Sequence, residues 1–328
     1  MKSSKEATIA DFRDAIPKEC FNKSLVFSMT YMICDFTMLY SLYYYKEQIP
    51  YLIWINLTGF IYWCIFVIGH DCGHTTFSNY SLVNNICGHV CHTILNVPFF
   101  PWKFSHNLHH RYHNHYSKDT SHIWIKQEEV AFANQFFKIP FIELIAYTLF
   151  YLVLGVPDGS HVAPNSKLFT KSSDRFNCFI STGLVVLFDA FLIKTWDLET
   201  LGWWYVLPIM VFNFWLYVVT YLQHHHDDTQ VYEEGEWTFM KGGMETIDRT
   251  YGFGIDQLSH NITDGHFVHH LFFTKIPHYH LKTATEAIKP ILGENYKYKS
   301  SWDFFVEYHR LKYSLGYLKG NGILTFKE

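Results

Sequence analysis

Four apolar stretches, each about twenty residues long, constrain this chain more than any other feature. They are 25–45 (LVFSMTYMICDFTMLYSLYYY), 49–69 (IPYLIWINLTGFIYWCIFVIG), 176–194 (FNCFISTGLVVLFDAFLIK) and 203–223 (WWYVLPIMVFNFWLYVVTYLQ). Each has the length an α-helix needs to cross a hydrocarbon layer. Inside that layer only a helix or a closed barrel satisfies its own backbone N–H and C=O groups. Aromatic residues gather at several ends (Tyr43, Tyr44, Tyr45, Tyr51, Trp203, Trp204, Tyr221), as they do at membrane–water boundaries. The chain therefore reads as an all-α integral membrane protein with four transmembrane helices. Of its 328 residues only 17% are charged, against about 25% in soluble domains, so one polytopic unit is favoured over two soluble ones.

Pairing the spans as two hairpins, 25–69 and 176–223, returns the chain to the same side twice. The N-terminal arm 1–24, the segment 70–175 and the C-terminal segment 224–328 then share one face. Lys2, Lys5, Arg13, Lys18 and Lys23 precede the first span, and Lys167, Lys171 and Arg175 precede the third. The short connections 46–48 and 195–202 carry only Lys46. The positive-inside rule places the shared face in the cytosol. Two further stretches, 83–100 and 139–157, approach spanning length. The first is broken by Gly88, His89 and His92 and runs into Pro98 and Pro101; the second carries Glu143. Both read as interfacial or re-entrant helices. Asp35 and Asp189 fall inside predicted spans, where an inter-helix hydrogen bond or a place near a helix end is preferred over a functional role.

A net charge of −4 argues against a nucleic-acid partner. Seven cysteines, with Cys34, Cys64 and Cys178 in apolar runs, read as reduced thiols rather than a disulfide framework. The opening MKSSKEATIADFRDAIPKECF mixes acids with lysines and lacks an apolar core, so neither a signal peptide nor a transit peptide is expected.

Histidine is the outlier, with 21 residues. Three clusters stand out: His70-Asp-Cys-Gly-His74, His106-Asn-Leu-His109-His110 and His266-Phe-Val-His269-His270. Residues three and four apart share a helix face, so HxxxH aims two imidazoles one way and HxxHH gathers three within a turn. A single zinc takes four ligands. Eight imidazoles suit two six-coordinate ions with positions left over. Imidazole serves iron, zinc, copper and nickel alike, so the donor type alone does not choose the metal. His224 follows the fourth span, and His260 lies shortly before the third box, off its face unless Gly265 breaks the helix; both are further candidate ligands. Asp71, Asp264 and Asp119 are candidates to orient ligating imidazoles from behind, and each also suits a helix cap. His89, His92, His113, His115, His122, His161, His278, His280 and His309 are read as structural or supporting. Phe99, Phe100, Trp102, Phe104 and Phe267 are candidates to line a narrow channel for an apolar chain, with interfacial anchoring at least as good a reading for Trp102 and Phe104.

The motifs GHDCGHTTFSN, HNLHH, TYLQHH, HNITDGHFVHHLF and IPHYHLKTATEAIKPIL closely resemble those of the membrane fatty acid desaturases, and within them the methyl-end branch of delta-12 and omega-3 enzymes. The resemblance runs from near DFRDAIPKECF past the third box and weakens after about residue 300. It implies four membrane helices under a cytosolic cap that holds two iron ions. The implied ligands are His70, His74, His106, His109, His110, His266, His269 and His270, with His224 and His260 matching further family histidines. It implies dioxygen as co-substrate, and an acyl chain carried on phospholipid or coenzyme A as substrate. It also implies cytochrome b5 with its NADH-dependent reductase as a separate electron source, since no His-Pro-Gly-Gly haem motif occurs, and an endoplasmic reticulum location. HNIT at 260–263 leans toward delta-12 action on an oleoyl chain. Omega-3 action on a linoleoyl chain is the close competitor, and hydroxylases and acetylenases share the scaffold. A histidine-rich metal transporter is the alternative from another class. It is disfavoured because such ligands belong near the bilayer midplane, whereas these boxes fall outside the predicted spans.

Overall fold

The structure is a computed structural model and describes residues 7–131, 142–156 and 158–326. It divides into two compact units, one drawn from Ser24–Ser105 and Leu144–Tyr217, the other from Met1–Lys23, His106–Glu143 and Val218–Glu328.

The first unit is built from apolar helices. Helix α2 (Leu25–Tyr44) starts where the Ser24 hydroxyl accepts from Phe27 N at 3.3 Å, and α3 (Tyr51–Gly73) starts directly after Pro50. Pro50 has no N–H to lose there, and its φ of −52° already suits a helix start. Helices α4 (Ser81–Thr93), the opening of α5 (Phe99–Tyr112), α6 (Ser172–Thr195) and most of α7 (Leu198–His224) complete the unit. Helix α7 stays continuous through a π-helical turn at Gly202–Val206. Among the described residues, four helices, α2, α3, α6 and α7, are long and apolar enough to cross a membrane. Their bounds follow the sequence expectation to within a few residues. Helices α3 and α7 both run on past the last apolar residue, because a backbone ladder once formed continues without needing apolar side chains. His70 therefore lies inside α3 and His224 inside α7, where the sequence suggested that both lay just beyond.

Burial separates these helices. In α3, 72% of the apolar window is buried, whereas in α2 and α6 the share is 17%. Val26, Phe27, Ile33, Phe179, Leu187 and Phe191 are all exposed. Apolar surface on that scale is not stable against water; it is the surface of a protein solvated by lipid, with α3 as the core of its helical unit. Tight helix approach supports this core. A Cβ placed on Gly59 of α3 would lie 2.4 Å from Val211 Cβ and 2.8 Å from Pro208 O of α7. Asp35 is buried within this unit, and half-buried Asp189 accepts a bond from the Asn96 side chain, in keeping with a polar link rather than a reactive group.

The two ambiguous stretches contain no membrane-length helix among the described residues. The first becomes α4 and the start of α5, parted near Pro98. Of the second, 139–141 and 157 lie outside the described residues, and Ile142–Val153 form one short helix with a π-helical continuation.

The second unit mixes short helices with strands. α1 (Ile9–Ala15) opens with a capping box in which Thr8 and Asp11 bond each other's backbone. Helix α8 (His266–Phe272) carries the third box, and α9 (His278–Leu292) packs beside it. Phe12 and Phe21 of the N-terminal arm meet Phe267 and Phe272 edge-on, with centroids 6.2 and 5.9 Å apart. The all-α expectation needs correction here. β1 (Gln230–Tyr232) pairs antiparallel with β4 (Ile323–Thr325), and β2 (Asp248–Thr250) pairs parallel with β3 (Tyr298–Ser300). Three-residue strands are too short to write a period of two into a sequence.

The close approach at Gly59 yields a prediction. Gly59→Val forces α3 and α7 apart and lowers stability by about 1–3 kcal/mol, the usual cost of overpacking. The check is the thermal unfolding midpoint of the detergent-purified protein, which falls in the variant while Gly183→Ala, where an added Cβ meets nothing within 4 Å, leaves it unchanged.

Candidate metal centre

Two of the three histidine clusters belong to the second unit, together with His224. Box two lies on α5, whose length follows from helical HNLHH; box three lies on α8, which Gly265 precedes as N-cap. At 100° per residue, positions i+3 and i+4 fall on opposite sides of position i. Each HxxHH must therefore split two-and-one between neighbouring centres, and it does. The i, i+4 pair of box two, His106 and His110, has its Nε2 atoms 3.0 Å apart, and His269 of box three brings its Nε2 to 3.1 Å from that of His110. The i, i+4 pair of box three, His266 and His270, has Nε2 atoms 3.1 Å apart, and His224 Nε2 lies 3.2 Å from His266 Nε2. His109 joins this second group; the ligand nitrogens of His109, His224 and His270 lie within 4.8 Å of one another. All of these imidazoles except half-buried His106 are buried.

Protonation decides what such clusters can hold. Burial, reinforced by the neighbouring imidazoles of His266, His113, His224 and His109, keeps His270 well below its ordinary pKa, so its ring is neutral at pH 7. His266 Nδ1 donates to Ile262 O at 3.2 Å, which leaves a lone pair on its Nε2. His109 Nδ1 donates to Asp119 Oδ1 at 2.8 Å and likewise leaves Nε2 as the donor atom. The His266 lone pair faces two other imidazole nitrogens at 3.1 and 3.2 Å. One lone pair accepts one N–H well; a cation shared among the three rings satisfies the whole group. The residues present therefore fit a metal ion.

Asp119 is fixed from both sides. Its Oδ2 accepts from Asn114 N at 3.1 Å and its Oδ1 from Ser121 N at 3.2 Å. Burial pushes its carboxyl up, but the adjacent His109 ring and its hydrogen bond, with His122 and His113 behind, bring it below the usual range. His113 and His122, which the sequence left as structural or supporting, flank the second group: the His122 ring is 4.6 Å from His224, and His113 is 4.8 Å from His270. Nothing in the spacing of HNHYSKDTSH marks them, because this loop has no helical period.

The remaining candidates are placed as follows. In the first unit His70 and His74 are buried at the end of α3 with ring centroids 4.5 Å apart, and Asp71 Oδ1 lies 3.6 Å from His70 Nδ1. His260 stands outside both histidine groups of the second unit. Its φ of 61° turns the chain before α8, and its ring packs against His278 at 4.9 Å. Half-buried Asp264 makes no bond to a box histidine among the described residues, and burial, with Asp256 nearby, lifts its carboxyl to about 6. Phe99 packs on His89 and His92, and Trp102 packs on Phe66, His70 and His92. The Phe100 backbone donates to Ser181, and Phe104 meets Phe169 at 5.7 Å. Phe267 is buried under Phe12.

One prediction follows from the Asp119 bond. Asp119→Asn keeps the shape but removes the charge that fixes the His109 tautomer. Metal affinity falls by about 10–100-fold, as read by competition with a chromophoric chelator.

Comparison with known proteins follows the same direction. A sequence model described as fatty acid desaturase matches residues 49–302. The Delta(12) fatty acid desaturase fat-2 of Caenorhabditis elegans is 39% identical over 98% of this chain and 91% of its own. The Omega-3 fatty acid desaturase fat-1 of the same organism is 40% identical over 98% of this chain and 84% of its own. A sn-1 acyl-lipid omega-3 desaturase (ferredoxin) of Synechocystis is 38% identical over 91% of this chain and 85% of its own. With membrane-length helices, converging buried imidazoles and this similarity over nearly its whole length, the chain belongs to the fatty acid desaturase family.

Proposed function

We propose that this chain is a membrane desaturase that introduces a cis double bond toward the methyl end of an unsaturated C18-type acyl chain, with delta-12 action on an oleoyl chain favoured. The observation that carries this reading is the convergence of buried imidazoles into closely spaced groups in a member of this family. Omega-3 action on a linoleoyl chain is the second reading, supported by the equal similarity to a delta-12 and an omega-3 relative, 39% and 40%.

The proposed ligands are His70, His74, His106, His109, His110, His266, His269 and His270, with His224 added because its Nε2 meets that of His266. His260 is not proposed. Bound iron supplies the redox chemistry that zinc lacks and that an unactivated hydrocarbon requires. The overall reaction balances when two hydrogens leave adjacent methylenes, two electrons and two protons arrive from a donor, and one dioxygen becomes two waters. The protein's own part is positional. His109 and His266 each commit Nδ1–H to an oxygen acceptor, which fixes the tautomer and aims Nε2 inward. Complete burial of His110 and His270 keeps bulk water from the donor atoms. Charge bias around the spans supports a cytosolic face for the boxes, and an external donor such as cytochrome b5 with its reductase, in the endoplasmic reticulum, completes the proposal.

Expression in yeast fed with chains of different length and unsaturation tests the reading. The expected product is a new diene at delta-12; a triene from linoleate moves the assignment to omega-3, and a dominant hydroxy acid with no new double bond removes the desaturase reading. His109→Ala is expected to abolish product while the protein still inserts and accumulates. Elemental analysis of active wild type is expected to return iron, and full turnover by iron-free protein refutes the ligand assignment.

A further inference from the structure

The sequence flags the histidines but not the short strand that lies between two of them. Strand β2 contains Asp248 and Arg249, an acidic and a basic residue, adjacent and both fully buried. Successive strand side chains point to opposite sides, and these two serve different helices.

Asp248 serves the box-three helix. Its Oδ1 accepts from Phe267 N at 2.7 Å, in the first turn of α8, and the His266 backbone also donates to it. Its Oδ2 is held by the Tyr296 hydroxyl at 2.7 Å. An acidic side chain that accepts otherwise unpaired N–H groups at a helix start is a cap.

Arg249 serves the other end. Its Nε donates to Leu222 O at 2.7 Å and its Nη2 to His225 O at 3.3 Å, so the guanidinium grips the carbonyls that bracket His224 at the end of α7. Nη1 donates to Ser301 Oγ at 3.1 Å and lies 3.6 Å from Glu307 Oε1, which balances the buried charge. The backbone of the same strand region ties the ends together: Ile247 N donates to Gln223 O at 3.0 Å and Arg249 N to Thr263 O at 2.9 Å. Gln223 Nε2 also donates to Thr263 O at 2.9 Å. His224 and His266 therefore come from segments 42 positions apart, yet their Nε2 atoms meet at 3.2 Å across this one strand.

We propose that Asp248 and Arg249 are a pair of positioning residues that fix the separation between His224 and the His266–His270 pair, and so set the geometry of the ion those imidazoles hold. This rests on the metal-centre reading above. Neither side chain touches the donor nitrogens; each acts through the backbone of the helix that carries them. The fork geometry matters for Arg249, because a lysine at this place keeps the charge but loses the simultaneous grip on two carbonyls and Ser301.

The test uses the full chain, purified in detergent without metal and titrated with cobalt(II), whose visible absorption reports coordination geometry. Wild type is expected to bind cobalt with an imidazole-type spectrum; failure of wild type to do so sinks the metal-centre reading itself. Given binding by wild type, Arg249→Lys and Asp248→Asn are expected to shift the visible bands and weaken cobalt binding by about 10–100-fold, the range for residues that orient ligands from behind. Ser301→Ala, which removes one guanidinium bond, is expected to give a smaller shift in the same direction. A variant whose unfolding midpoint drops while its cobalt spectrum and affinity match wild type overturns the proposal and leaves the pair a purely structural element. Failure of both Arg249→Lys and Asp248→Asn to yield folded protein overturns it in the same way, since the pair is then a determinant of the fold.

Discussion

Imidazole nitrogens brought to 3.0–3.2 Å of one another in a dry interior need an N–H or a shared cation between them, because two facing lone pairs repel. His110 against His106 and His269, and His266 against His224 and His270, are both in that position. Protonation is the cheap remedy at a surface, but burial denies it here, as the depressed pKa of His270 shows. An N–H···N bond satisfies one pair of rings at a time, whereas a shared metal ion satisfies all the rings of a group at once, and the rest of the second unit holds those rings in place. Asp119 fixes one ring, Ile262 O another, and the arms of β2 hold the helix ends that carry two more.

Helix geometry explains why the boxes have the spacing they do. A histidine at i+4 repeats the direction of i and forms a chelating pair, whereas one at i+3 leans to the other side. Two HxxHH helices brought together thus supply a pair and a single to each of two adjacent groups without any distortion of backbone. The pairs His106–His110 and His266–His270 belong to different groups, and the singles His269 and His109 cross over. A box of HxxxH alone makes a pair and no crossover, which is what His70 and His74 offer at the end of α3.

Much of this was legible in sequence because it depends on period and length. The four long helices follow from runs of apolar residues, and the gathering of the box-two and box-three histidines follows from i, i+3, i+4 spacing. Asp119 was visible as a carboxylate near a box, although its partner His109 was not. The illegible parts depend on contacts between segments far apart in the chain. Nothing in DRT at 248–250 announces that one residue caps α8 and the next grips α7. His260 matched a family position by resemblance, yet the left-handed turn at His260 and Asn261 carries its ring toward His278. No pattern in HNIT expresses a single positive φ. The short strands were missed for the same reason, since three residues of β structure are defined by their partners and not by their own alternation.

A metal centre held by imidazoles, as proposed above, would have no means of telling one methylene from another. Its ligands would fix the ions, and the run of methylenes beyond an existing double bond presents nearly identical C–H bonds. The position of a new double bond must therefore come from how far the chain is admitted and where it bends, a matter of placement rather than reactivity. This separates two kinds of residue in the molecule. On the proposed reading, the histidines with Asp119 and β2 determine whether there is a reaction, and the apolar side chains that receive the acyl chain determine where on it the reaction falls. Relatives named for delta-12 and omega-3 positions stand equally near this chain, at 39% and 40% identity, as expected if a few chain-contacting residues, diluted in overall identity, carry the distinction.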